Sequence, residues 1–136
     1  MRLKTKIVIY TASLLLPFSS FAFLKIAFCP DAAWIKNPNN RNGRIILEQP
    51  GTGTGPMSVA NPDHLDLART WVEARVSNGR LICGYEGKNK FNIISESRGW
   101  EHYGINWRIT PYLVICSGEE REPQRCRVKN IYDQID

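Results

Sequence analysis

Val72-Glu-Ala-Arg-Val-Ser-Asn-Gly-Arg-Leu-Ile-Cys-Gly-Tyr-Glu-Gly87 sets two runs that alternate apolar and polar on either side of Asn78-Gly79. That dipeptide suits a two-residue hairpin turn, which needs positive φ at both central positions; Asn tolerates it and Gly adopts it freely. The period of two predicts that Val72, Ala74 and Val76 share an inward face with Leu81, Cys83 and Tyr85 across the ladder. A helix competes for the first half, because Leu65, Ala68, Val72 and Val76 also fit helical spacing. Asn61-Pro62-Asp63 has the form of a helix start, with Asn as cap, Pro at the first position and an acid near the positive end. Thr70, Val72 and Val76 are β-branched, however, and Asn78-Gly79 leads straight into a strand-like run. The expectation is a short helical segment over 62–68 and a strand from about Thr70.

Working outward, short strands separated by Gly, Asn and Pro turns recur along the chain. Phe23–Cys29 reads as a first strand, followed by a turn or short helix through Trp34 and Ile35. Arg44–Glu48 is another strand, and Pro50-Gly-Thr-Gly-Thr-Gly-Pro56 reads as a flexible connector. A phosphate loop is excluded there, since no Lys-Ser/Thr follows the glycines and Pro56 interrupts the helix such a loop requires. Phe91–Glu96 continues the meander, and Ser97–Gly104 reads as loop. Trp107–Thr110 before Pro111 suits an edge strand. Tyr112–Cys116 is the most apolar strand and is predicted to be central, with Arg125–Lys129 pairing back onto it. The fold class is mainly all-β: a small antiparallel sandwich or barrel-like sheet with one short helical segment near 62–68.

Arg2, Lys4 and Lys6, an apolar run over Ile7–Phe18, and the small residues Ser20 and Ala22 follow the plan of a secretory signal, with cleavage expected after Ala22. Pro17-Phe-Ser-Ser20 cuts the apolar run short of the roughly 20 residues a membrane span needs. The expected organisation is a signal over 1–22 and one secreted β-rich domain over 23–136, in the periplasm or outside the cell, with no stable membrane insertion after cleavage. The chain carries 18 basic and 13 acidic residues. Removing the signal leaves 15 basic against 13 acidic, a net +2, so no electrostatic footprint for nucleic acid remains.

Cys29, Cys83, Cys116 and Cys126 all lie in the expected mature chain, and an even count in a small exported domain reads as a disulfide framework. Of three possible pairings, Cys116–Cys126 is favoured by the polar, loop-like segment between them, which leaves Cys29–Cys83. A zinc site is disfavoured, because no cysteine pair has knuckle spacing and neither histidine lies near one. No cofactor or metal is implied.

Cys29-Pro30 soon after the signal, Leu81-Ile-Cys83-Gly-Tyr85, Trp107, Cys116 and Cys126 form an ordering that resembles a family of small exported bacterial four-cysteine proteins known as a domain of unknown function. The resemblance covers most of 29–126. It implies an extracytoplasmic location and a bridged β-domain, and it carries over no functional residues.

Catalytic constellations are sparse. His64 in Asp63-His-Leu-Asp66 and His102 in Trp100-Glu-His-Tyr103 read as polar surface groups. Neither Ile94-Ser95-Glu96 nor Cys116-Ser117-Gly118 resembles a strained nucleophile turn. Glu96 and Glu101 flank Trp100, but a glycosidase pair needs a fixed separation that such a loop does not promise. Binding is better supported. Trp100, Tyr103, Trp107 and Tyr112 concentrate aromatics that stack on sugars or anchor a protein if they share an exposed face. The alternative is core filling, which is the expectation for Trp107 and Tyr112, while Trp100 and Tyr103 are open to either role. The predicted function is a non-catalytic binding or interaction module, an inhibitor of or adaptor to another extracytoplasmic protein. A carbohydrate- or peptidoglycan-binding module using the 100–112 aromatics is the alternative, and a small hydrolase the least favoured reading.

Overall fold

The computed structural model describes residues 23–118 and 122–135; the expected signal over 1–22 and residues 119–121 of the charged loop lie outside them. Strands run in chain order as β1 (Phe23–Ala27), β2 (Arg41–Asn42), β3 (Ile45–Ile46), β4 (Met57–Val59), β5 (Thr70–Ser77) and β6 (Arg80–Glu86). They continue as β7 (Lys90–Ser95), β8 (Trp100–Tyr103), β9 (Arg108–Ile109), β10 (Val114–Ser117) and β11 (Arg127–Ile135). A short helix α1 (Ala32–Lys36) and a 3₁₀ turn over Pro62–Leu67 are interposed, the latter capped by the Asn61 side chain accepting from Asp63 N–H.

The hairpin turns where the sequence places it. Asn78 and Gly79 have φ of 53° and 74°, and β5 pairs with β6 through Ser77↔Arg80, Val76↔Leu81 and Ala74↔Cys83. One inward residue differs from expectation. The register shifts between Trp71 and Glu73, so Trp71 stands opposite Tyr85 and is 2% exposed, while Val72 occupies the bulge and is half-buried. The extra residue re-phases the strand, and the core gains an indole where alternation alone assigns a valine.

All pairings are antiparallel, in an eight-stranded sheet ordered β2-β3-β4-β7-β6-β5-β10-β9 and a three-stranded sheet ordered β1-β11-β8. Among the described residues neither sheet closes into a barrel. Their inner faces meet in one core that includes Leu81, Cys83, Tyr85 and Ile93 from the larger sheet and Ala27, Trp100 and Val128 from the smaller. Ile35 of α1 and Leu65 of the 3₁₀ turn, both fully buried, join it. Arg41 ties the helical pieces together, bonding the carbonyls of Lys36 and Pro62 and pairing with Asp66.

Both predicted disulfides are present, with Cα separations of 5.8 Å for Cys29–Cys83 and 5.6 Å for Cys116–Cys126. Each joins the two sheets. Cys29 follows β1 and bonds to Cys83 in β6; Cys116 in β10 bonds to Cys126 just before β11.

Other expectations are corrected. β10 is not central; it lies between β5 and the edge strand β9. The last strand does not pair back onto it but enters the smaller sheet between β1 and β8, so the bridge at Cys126 marks a change of sheet rather than a hairpin. The stretch read as loop over Ser97–Gly104 contains β8, whose register with β11 sets Trp100 opposite Asn130. The glycine-rich segment 50–56 is no flexible connector: Thr52 and Thr54 are 2% and 1% exposed, and the Thr52 carbonyl accepts from Phe28 N–H at 3.0 Å.

Tyr85 makes the buried core sensitive to alkali. Its ring is fully buried, and its hydroxyl donates to the Pro30 carbonyl. Burial raises its pKa well above the ordinary value, and the neighbouring Asp31 charge raises it further. Above about pH 10 the unfolded chain therefore releases a proton that the folded chain keeps, so stability falls as pH rises from there. Chemical denaturation across pH 8–11 is expected to show a shallower decline for Tyr85→Phe, which also loses about 1 kcal/mol at neutral pH from the missing hydrogen bond. Parallel declines for the two proteins would refute the assignment.

Candidate functional site

Strand alternation sends one side chain inward and the next outward, and the polar outward set on the larger sheet is interrupted by a row that carries four isoleucines. Cross-strand register aligns Ile45↔Ser58, Ser58↔Ile94, Ile94↔Ile82, Ile82↔Arg75 and Arg75↔Ile115 into one continuous row over six strands. At the usual strand spacing this row is about 24 Å long. All six residues are half-buried, whereas their inward neighbours Ile46, Met57, Ile93, Leu81, Ala74 and Cys116 are buried.

Two grooves lie along the row and share Asn92 and Ile94. The larger, about 670 Å³, runs beside Arg44, Ile45, His64 and Lys90. The smaller, about 280 Å³, is bounded by Arg75, Ile82, Val114 and Tyr112. Glu73 and Arg75 pair along β5 at 3.2 Å. Gly84 leaves room for the Glu73 side chain, since a Cβ there would approach its Cγ to 2.9 Å. The face thus combines an apolar centre with the cations Arg44, Arg75 and Lys90 and the acids Glu73 and Glu96. This is the composition of a surface that excludes water at its middle and orients a partner at its rim.

The four aromatics singled out from the sequence are separated. Trp100 and Trp107 are core side chains, 1% and 9% exposed. Their indole N–H groups donate to Ser97 Oγ at 3.0 Å and to the Arg127 carbonyl at 2.9 Å. Tyr103 is partly exposed on β8, with the Arg127 guanidinium 5.7 Å from its ring centroid. Tyr112, expected in the core, is 97% exposed, because Thr110–Leu113 forms a tight turn between β9 and β10 that carries its side chain out over the smaller groove. The four form no common platform; Tyr112 alone belongs to the apolar face.

The histidines are also apart. His64 packs 5.6 Å from Phe91 at the end of the larger groove, and His102 lies 6.3 Å from Trp107. Glu101 is 3.9 Å from Lys129 on the smaller sheet, whereas Glu96 lines the larger groove. No group of His, Cys, Asp and Glu among the described residues is placed to hold a metal ion. Beside Cys116–Cys126 a cavity of about 300 Å³ is bounded by Trp71, Ser117 and Arg125.

The isoleucine row was missed in the sequence, although a signal for it exists. Ile82, Ile94 and Ile115 each sit beside inward apolar residues, so at these single positions the strands carry an isoleucine outward where a one-sided antiparallel sheet places a polar residue.

Fold and bridges together define the chain as a small, disulfide-stabilised, all-β protein of two antiparallel sheets. Comparisons with family profiles, curated proteins and solved structures find no match. Among the described residues no helix is long and apolar enough to cross a membrane.

Proposed function

We propose that the chain is an exported, non-catalytic binding module that docks another extracytoplasmic protein on the outer face of its larger sheet. The observation that carries this reading is the row Ile45, Ser58, Ile94, Ile82, Arg75 and Ile115 with its two grooves. Its length matches a standard protein interface, about 800 Å² on each partner and therefore about 28 Å across. Arg44, Arg75 and Lys90 outnumber Glu73 and Glu96 around it, so the fitting partner presents an apolar centre with an excess of acidic groups. Export is supported by the two disulfides and by the signal-like N-terminus. The ordering from Cys29-Pro30 to Cys126 supports, in this proposal, a kinship with the exported four-cysteine family it resembles.

A photo-crosslinking residue at position 82 is expected to capture one discrete partner in cells that export the protein. The same group at position 24, on the smaller sheet, is expected to capture none. Ile94→Arg, placed at a half-buried outward position, is expected to abolish capture from position 82 while both disulfides remain intact. Equal capture from positions 24 and 82, or none from either, would overturn the reading. An inhibitor lowers the captured partner's activity on docking and an adaptor leaves it unchanged, which separates the two forms of the proposal.

A further inference from the structure

We infer that a groove at the Asn78–Gly79 end of the molecule is a separate ligand site, built to take a pyranose ring of a neutral glycan against Tyr132. It is independent of the outer face. Three backbone segments converge there: Trp100 N–H donates to the Gly79 carbonyl at 2.9 Å, and Ile131 N–H to the Gly99 carbonyl at 2.8 Å. Asn130, 2% exposed, fastens them from below, donating from Nδ2 to the Arg98 carbonyl at 3.0 Å and accepting Tyr132 N–H on Oδ1 at 2.9 Å.

On this base the Tyr132 ring rests against Gly99. A Cβ at that position would lie 2.5 Å from Tyr132 Cδ2 and 3.1 Å from Cε2, and Gly99 has φ of 93°, so only glycine admits the ring. Most of the ring is nevertheless bare, with the residue 77% exposed. The ring meets Gly99 along its Cδ2–Cε2 edge and leaves the rest of its apolar surface open to a ligand.

The adjoining groove, about 430 Å³, is within the range of small-ligand sites. Asn78, Arg98 and Glu101 line it with donors and acceptors suited to hydroxyl groups. Glu101 also lies 3.9 Å from Lys129, a long contact that leaves carboxylate lone pairs for a ligand. Arg98 and Glu101 give the lining one charge of each sign, so an ion of either sign meets a like charge there and a neutral polyol meets none. A pyranose satisfies both halves of the site, with its C–H face on the ring and its hydroxyls toward the polar side chains. The platform is Tyr132 rather than the 100–112 aromatics. Trp100, buried beneath the groove, is its built-in reporter.

The test is titration of the oxidised protein with N,N′,N″-triacetylchitotriose, cellotriose and maltotriose at millimolar concentration, read by tryptophan emission. At least one of these probes is expected to give a saturable shift. Tyr132→Ala is expected to weaken its affinity roughly tenfold or more, the scale of one lost aromatic anchor, with unchanged far-UV circular dichroism. Tyr132→Phe should keep the affinity, because the platform is the ring; Gly99→Ala should lose it by displacing that ring. Tyr112→Ala, equally aromatic and more exposed, should bind as the parent does. No saturable shift with any of the three sugars, equal affinity in Tyr132→Ala, or loss in Tyr112→Ala would each overturn the inference. None of these outcomes bears on capture from position 82.

Discussion

Replacing Cys29 and Cys83 together by alanine is expected to lower the free energy of unfolding by about 4 kcal/mol, against about 3 kcal/mol for the Cys116–Cys126 pair. The difference follows from loop length. The first bridge spans 54 positions and the second 10, and restricting the unfolded chain is worth more for the longer loop. All four cysteines are buried, so loss of either bridge also leaves small voids in packed surroundings and does not alter the order. A smaller contribution comes from position: Cys83 stands opposite Ala74 and beside Tyr85, whose hydroxyl holds the Pro30 carbonyl next to Cys29. The bridge and that hydrogen bond thus fasten the same turn. Denaturant titration of the two double variants, with the other bridge kept oxidised, checks the order. A greater loss for the Cys116/Cys126 variant would show that loop entropy does not govern what each bridge contributes.

The second bridge is where sequence reasoning reached the right bond by way of the wrong topology. A short polar segment between two strand-like runs suggests a hairpin, and a hairpin suggests a bond across its base. The pairing follows equally when the chain crosses from one sheet to another, as it does between Ser117 and Arg127. Nothing local distinguishes the two, because the choice of partner for β11 is made by β1 and β8, remote in sequence. The hairpin at Asn78-Gly79 was readable for the opposite reason: its turn chemistry is contained in two adjacent residues. The bulge at Val72 was not, since alternation counted from the turn assigns valine inward and only the packing of Trp71 against the core re-phases the strand. Of the candidate site, Tyr112 is named among the four binding aromatics, with a core position favoured for it. Its neighbours across the face, Ile82, Ile94 and Ile115, come from three separate strands and become one surface only through register.

Trp100→Ala is expected to cost about 3–5 kcal/mol, the range for removing a fully packed indole. Trp100 is 1% exposed and holds β8, an outer strand of the smaller sheet, whose ladder partner among the described residues is β11. The indole compensates for that limited pairing. Its N–H donates to Ser97 Oγ at 3.0 Å, and the Lys25 ammonium lies 6.0 Å from the ring centroid on the side of β1. Deleting it empties the space between the β5–β6 hairpin and the smaller sheet, where Trp100 N–H also meets the Gly79 carbonyl. Trp100→Phe retains an aromatic ring and loses the hydrogen bond, so its cost is smaller, about 1–2 kcal/mol. The graded pair separates packing from recognition. A residue whose main role is to contact a ligand leaves stability nearly intact when truncated, whereas Trp100→Ala should lower the denaturation midpoint steeply with no ligand present. Amide exchange should then place the greatest loss of protection in β8 and in the Arg127–Asn130 part of β11, its paired neighbours. A denaturation midpoint equal to the parent's, with protection in β8 unchanged, would mean that Trp100 does not anchor the smaller sheet.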